Sequence, residues 1–222
     1  MTQTMTEAAP LAGIHMRALI RRGVVKLLKA DAGMASLCGA RIYGNRVEHW
    51  YQDEYPAAAV YALSESNAES DVSPDPDERA LSLNVELVAA ADERLDDVLD
   101  ALCLALERAV GIDALGQAMT AIVNRRLPAP LPVDQQGRSP VDAALLRIRQ
   151  TGSELGIAVD GQRQLGVATV SFDVEYRWPV MPGTLADFLL AVSGWDVEPA
   201  DGCIDMQSRV EFSPITPATP EE

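Results

Sequence analysis

QLGVATVSFDVEYRW, Gln164–Trp178, is the stretch that decides the fold. Ala168, Val170, Phe172, Val174, Tyr176 and Trp178 share one parity, and Thr169, Ser171, Asp173, Glu175 and Arg177 share the other. Strand side chains point alternately to opposite faces, so one set meets a core and the other meets water or a partner. The run far exceeds the usual strand of about five or six residues. A small-molecule pocket would need only part of it, whereas a long one-sided strand suits a broad sheet with a second face left as surface.

Working outward, VDGQ at Val159–Gln162 is a turn signal, and before it Leu146 and Ile148 alternate with Arg147 and Arg149. The long strand is therefore expected to be one arm of a hairpin. Leu81, Leu83, Val85 and Leu87 alternate with Ser82, Asn84 and Glu86, and AAAVYAL (Ala57–Leu63) and ARIY (Ala40–Tyr43) read as further strands. Between Ser64 and Glu78, SESNAESDVSPDPDE holds two prolines and six acidic residues, too little apolar surface for a core. It reads as a mobile loop joining two arms of a second long hairpin.

Two segments carry the helical period instead. Met16, Leu19, Ile20, Gly23, Val24, Leu27 and Leu28 form one apolar stripe, ending near Asp31–Gly33, with Arg17, Arg21, Arg22, Lys26 and Lys29 on the rest of the circumference. That basic face is either solvated or docked on an acidic neighbour. Leu95, Val98, Leu99, Leu102 and Leu106 fix a second helix, with Asp92 and Glu93 at its favourable N-terminal end and Gly111 as a stop. From Asp113 to Leu127 both periods fit: Leu115, Met119 and Ile122 suit a helix, while Met119, Ala121 and Val123 suit a strand. LPAPLP closes that segment because proline donates no backbone hydrogen bond.

Two amphipathic helices and several alternating strands bury their apolar faces together in two layers. The expected fold is α+β: a mainly antiparallel sheet with the helices around Leu19–Leu28 and Leu95–Leu106 on one face, plus a C-terminal extension. Residues 1–13 read as a flexible arm, 14–180 as the domain, and 181–222 as an extension of scattered apolar residues ending in the tail SPITPATPEE.

At 222 residues and 48% apolar, the chain can bury a core of this kind. A net charge of −15, from 33 acidic and 18 basic residues, argues against a general nucleic-acid binder, which needs clustered Lys and Arg. It is compatible with a surface past which DNA slides, since like charge disfavours adhesion. Cys38, Cys103 and Cys203 are odd in number and form no CxxC, so reduced cytosolic thiols are expected. No export signal or membrane span is expected, because Arg17, Arg21 and Arg22 interrupt the first apolar helix and no long uncharged apolar run follows.

Catalytic and metal-binding patterns are missing. His15 and His49 are the only histidines, and neither lies in a Ser/His/Asp or HExxH setting. RVEHWYQDEY (Arg46–Tyr55) gathers Glu48, His49, Asp53 and Glu54, but its spacing matches no ligand template and a loop with aromatic anchors explains it as well. SDVSPDPDE offers Asp71, Asp75, Asp77 and Glu78 to calcium, yet it lacks the EF-hand glycine and its prolines break the pattern. GIDALGQ has the wrong spacing for a phosphate loop. No catalytic residue, cofactor or metal is assigned, and weight shifts to a protein that works by its surface.

The order helix, two strands with a long acidic loop, helix, terminal hairpin resembles the tail terminator and tail-completion proteins of long-tailed bacteriophages, the group of the lambda-like minor tail protein U. The opening Ala18–Ser66 is similar in its helix, small-residue turn, RIY strand and proline-closed acidic segment. Arg79–Val110 is similar to the family's strand-then-helix centre, and Glu154–Trp178 to its closing hairpin. The resemblance runs from Ile14 to Trp178. The insertion NRRLPAPLPVDQQGRSP (Asn124–Pro140) and the long C-terminal segment depart from the smaller members.

The resemblance implies a structural virion protein of the tail or neck, assembled in the host cytoplasm. It implies a hexameric ring of identical subunits that caps the tail tube, ends its polymerisation and meets a head–tail connector or neck protein. DNA would pass through without specific binding, and no membrane is involved. Arg17, Arg21, Arg22, Asp71, Asp75 and Asp77 are then candidate subunit or partner contacts. Asp173, Glu175 and Arg177 are candidates for a lumen or interface face, with plain solvent exposure as the competing reading. A small cytosolic α+β binding module, and a hydrolase-like enzyme around Glu48, His49 and Asp53, are the other function classes.

Overall fold

A computed structural model describes residues 13–48, 50–51, 54–67, 78–160, 163–178, 190–195 and 206–211. They belong to two compact units, Met1–Val180 and Met181–Glu222. In the first, α1 (Met16–Ala30) and α2 (Ala32–Cys38) precede β1 (Ile42–Gly44), β2 (Ala57–Asn67) and β3 (Glu78–Ala90). Then come α3 (Leu95–Ala109), α4 (Ile112–Asn124), α5 (Pro140–Ala143) and the hairpin β4 (Leu145–Asp160) and β5 (Arg163–Arg177). The five strands make one sheet in the order β1-β2-β3-β5-β4, antiparallel except where β1 runs parallel to β2.

The fold is α+β, and its core face follows from alternation. Register aligns Val60 with Val85 and Val85 with Val170, while Ala58, Leu87 and Ala168 form the next row; all six are fully buried. Burying a Val or Leu side chain contributes about 1.5–3 kcal/mol, so these rows anchor the sheet. Helix α3 lies over them: a methyl group at Gly166, on the same face of β5, would collide with Leu95. Helix α1 meets the same face nearer β1, where a Cβ on Gly44, level with Val60, would come within 3.4 Å of Val25 Cγ2.

Asp31 explains the first helix boundary. Its backbone N–H closes α1 on the Leu27 carbonyl at 2.9 Å, and its carboxylate accepts the Met34 N–H at 2.8 Å, so the same residue starts α2. The sequence pattern anticipated the stop but not the second helix. The ambiguous segment is helical: α4 buries Leu115, Met119 and Val123, four residues apart, and packs on α1. Close approach there depends on Gly23, where a Cβ would lie 2.8 Å from Leu115 Cδ1 and 2.9 Å from Met119 Cγ. Helix α3 ends at Ala109 with Val110 as its C-cap, just before the expected stop at Gly111, which in an extended conformation is the N-cap of α4.

The register shifts in three places, one of them between Gln150 and Gly152 of β4. Between Ala62 and Ser64 the register slips, so Glu65 instead of Ser64 stands level with Leu81 on the core side. Between Leu145 and Arg147 a second slip buries Leu145 and leaves Leu146 37% exposed, contrary to the alternation expected of Leu146 and Ile148. The insertion before α5 is a tied connection. Asn124 accepts the Leu131 N–H at 2.9 Å, and Asp134 accepts those of Gln136 and Arg138 around Gly137, whose φ of 77° suits glycine. The second unit contains β6 (Leu190–Trp195) and β7 (Met206–Glu211), an antiparallel pair that no sequence pattern announced.

Candidate functional site

The basic side chains of α1 turn away from its buried stripe because the stripe occupies the sheet-facing side. Arg17 and Arg22 are exposed and Arg21 half-buried. Packing of α4 against α1 then adds two residues that the sequence did not single out: Arg22, Val25, Lys26 and Lys29 line an open groove with Ile122, Arg125 and Arg126. Arg125 and Arg126 lie about a hundred residues downstream, and no local pattern links them to α1. Among the described residues, no carboxylate forms an ion pair with any cation of this groove or with Arg17 or Arg21. Burial, then the charges of Arg22 and Arg17, lower the pKa of the Arg21 guanidinium below its ordinary value.

Asp173, Glu175 and Arg177 stand together on the sheet face opposite the core, as β5 alternation requires. Each meets an opposite charge on a neighbouring strand: Asp173 meets Arg149 at 3.4 Å, Glu175 meets Arg147 at 3.9 Å, and Arg177 meets Glu78 at 2.7 Å. The face is a charge ladder that is locally close to neutral. Such half-exposed pairs contribute about 0–1 kcal/mol each. Asp71, Asp75 and Asp77 lie outside the described residues, as do His49 and Asp53 of the hydrolase alternative.

The described residues of the RVEHWYQDEY segment form a loop folded onto that same outer face. The Arg46 guanidinium sits 4.9 Å from the Tyr43 ring centre and 4.3 Å from that of Trp50, and binds Glu54 through both oxygens at 3.2 and 2.6 Å. The Tyr51 N–H and Arg46 together hold the Glu54 carboxyl below its usual range, against partial burial. Trp50 Nε1 donates to Glu86 of β3 at 3.2 Å, which pins the loop over buried Ala57 and Ala59. Glu54 is thus committed to holding the loop.

At the far end of the core face the bulged Glu65 receives Arg79 at 2.9 Å beside Tyr176. The Tyr176 hydroxyl is buried, and burial followed by the Glu65 charge raises its pKa. Arg79 also lies 5.1 Å from the Trp178 ring centre, and Trp178 meets His15 edge-on at 5.6 Å. Burial pushes the Cys38 thiol up to about 11, and Cys103 is raised in the same direction, so neither is an activated nucleophile. Ser139 is buried, but its hydroxyl caps α5 and meets Thr120 Oγ1 at 2.6 Å. Among the described residues, no group of three His, Cys, Asp or Glu side chains is placed to hold a metal.

No helix among the described residues is long and apolar enough to cross a membrane. No protein-family model matches the chain, and no curated protein is significantly similar to it. Among solved structures, the fold is similar to a chain described as "Virion of native gene transfer agent (GTA) particle", at 14% identity and a TM-score of 0.46, covering 71% of this chain and 94% of that one.

Proposed function

We propose that this protein is a structural component of a phage-type virion that caps the end of a tail tube as a ring, terminates its polymerisation and presents a surface to the neck. The observation that carries this is the order of elements in the first unit: α1, the β2–β3 hairpin around an acidic connection, α3, and the β4–β5 hairpin. That order is the one on which the resemblance to tail terminators rests. The protein acts by contact and not by catalysis. Its partners are further copies of itself, the tail tube subunit and a head–tail connector, and DNA slides past an acidic chain without sequence-specific contacts. A hexameric ring suits this role, since unlike surfaces that meet head to tail close at a fixed number and match a tube of the same symmetry.

Deleting the gene from an otherwise complete phage is expected to give tails of uncontrolled length that fail to join heads, visible by electron microscopy. Tails of normal length joined to filled heads would overturn the reading in favour of a binding module.

A further inference from the structure

Two surfaces of the helical layer carry opposite charge. On the β1 flank lies the α1–α4 groove, whose five cations Arg22, Lys26, Lys29, Arg125 and Arg126 have no carboxylate partner among the described residues. Its wall residue Val25 faces Gly44 of β1, which places the α1 wall of the groove near that edge. Helix α3 lies over β3 and β5, and its Asp96, Asp100 and Glu107 follow helical spacing along one exposed side. Gln150 of β4 donates to Glu107 at 3.0 Å, which turns the stripe toward the opposite edge. Among the described residues, no ion pair joins groove and stripe within one chain.

We infer that the α1–α4 groove of one copy receives the acidic stripe of α3 from the next copy, as the repeating contact of a head-to-tail assembly. The inference rests on the ring reading above and names its contact. Charge complementarity selects a second copy as occupant: the chain carries net −15, and this groove is a concentration of cations on it. Two unlike patches on one chain also repeat in one direction, which is what ring closure needs. Duplex DNA is the competing polyanion, and its own charge is opposed by the rest of the surface.

The test uses two charge-reversed full-length chains. One carries Lys26→Glu with Arg125→Glu, the other Asp96→Lys with Asp100→Lys, and each is checked for folding by circular dichroism and thermal melting. Sedimentation velocity should show each variant alone associating at more than about tenfold higher concentration than the wild type, because like charges then face each other. An equimolar mixture, and a chain carrying all four changes, should regain association to within about threefold of wild type, because each reversed groove again meets a stripe of opposite sign. Folded variants that associate like wild type overturn this contact, while the terminator reading stands if they still cap tails. Groove-dependent binding of duplex DNA with unchanged self-association overturns it in favour of phosphate. A wild type that stays monomeric both alone and on tube ends overturns contact and ring together.

Discussion

Strands β4 and β5 are hydrogen-bonded partners of almost equal length, 16 and 15 residues, yet they live in different environments. Strand β5 lies between β3 and β4 under α3, and Ala168, Val170, Phe172, Val174 and Tyr176 are all buried. Strand β4 is an edge, and residues 151–158 are exposed on both faces. Leu155 and Ile157 stand level with Ala168 and Gly166, on the core side, but are 52% and 64% exposed because no helix reaches over them. Pairing alone therefore does not bury a strand. The layer above it does, and α3 is wide enough for β3 and β5 only.

The sharpest way to break this comparison is to place the same charge in both strands. Val170→Asp is expected to cost more than about 4 kcal/mol and unfold the domain, because the carboxylate has no partner in the core. Leu155→Asp is expected to change stability by no more than about 0.5 kcal/mol. Urea titration of both variants decides it, and similar midpoints would show that the two strands are covered alike.

The contact that makes the difference can be tested next. Gly166→Val should destabilise by about 1–3 kcal/mol, since its new side chain overlaps Leu95. Adding Leu95→Ala in the same chain should recover part of that loss, which separates a clash with α3 from a general strand effect. A neutral Gly166→Val would mean that α3 does not press on β5.

The smallest effect is expected on the outer face, where β4 and β5 meet as equals. A double-mutant cycle of Arg149→Ala and Asp173→Ala should give a coupling below about 1 kcal/mol that shrinks in high salt. A coupling well above this would mean that the ladder is sequestered from solvent, as inside an assembly.

Much of the scaffold was legible because alternation and helical period are local. The parity of Val170, Phe172 and Val174 named both the strand and its buried face, and the Leu95–Leu106 stripe named α3. The Asp113–Leu127 segment was not legible: Leu115, Met119 and Ile122 suited a helix and Met119, Ala121 and Val123 a strand until α1, with Gly23 opposite Leu115 and Met119, supplied the surface that a helix could bury. Bulges escaped for a similar reason, since a single slipped residue at Ala62 or Leu145 leaves no local mark and only the neighbouring strand registers it.

The surfaces divide in the same way. Sequence by itself determined that α1 has a basic side and that β5 has a charged face, because each follows from the period of one element. Tertiary structure alone decided that Arg125 and Arg126 join the α1 cations in one groove, that Asp173, Glu175 and Arg177 are matched by Arg149, Arg147 and Glu78, and that the acidic side of α3 turns toward the opposite edge. Charge pairing depends on distance between residues far apart in the chain, and only the packing of helices on the sheet sets those distances.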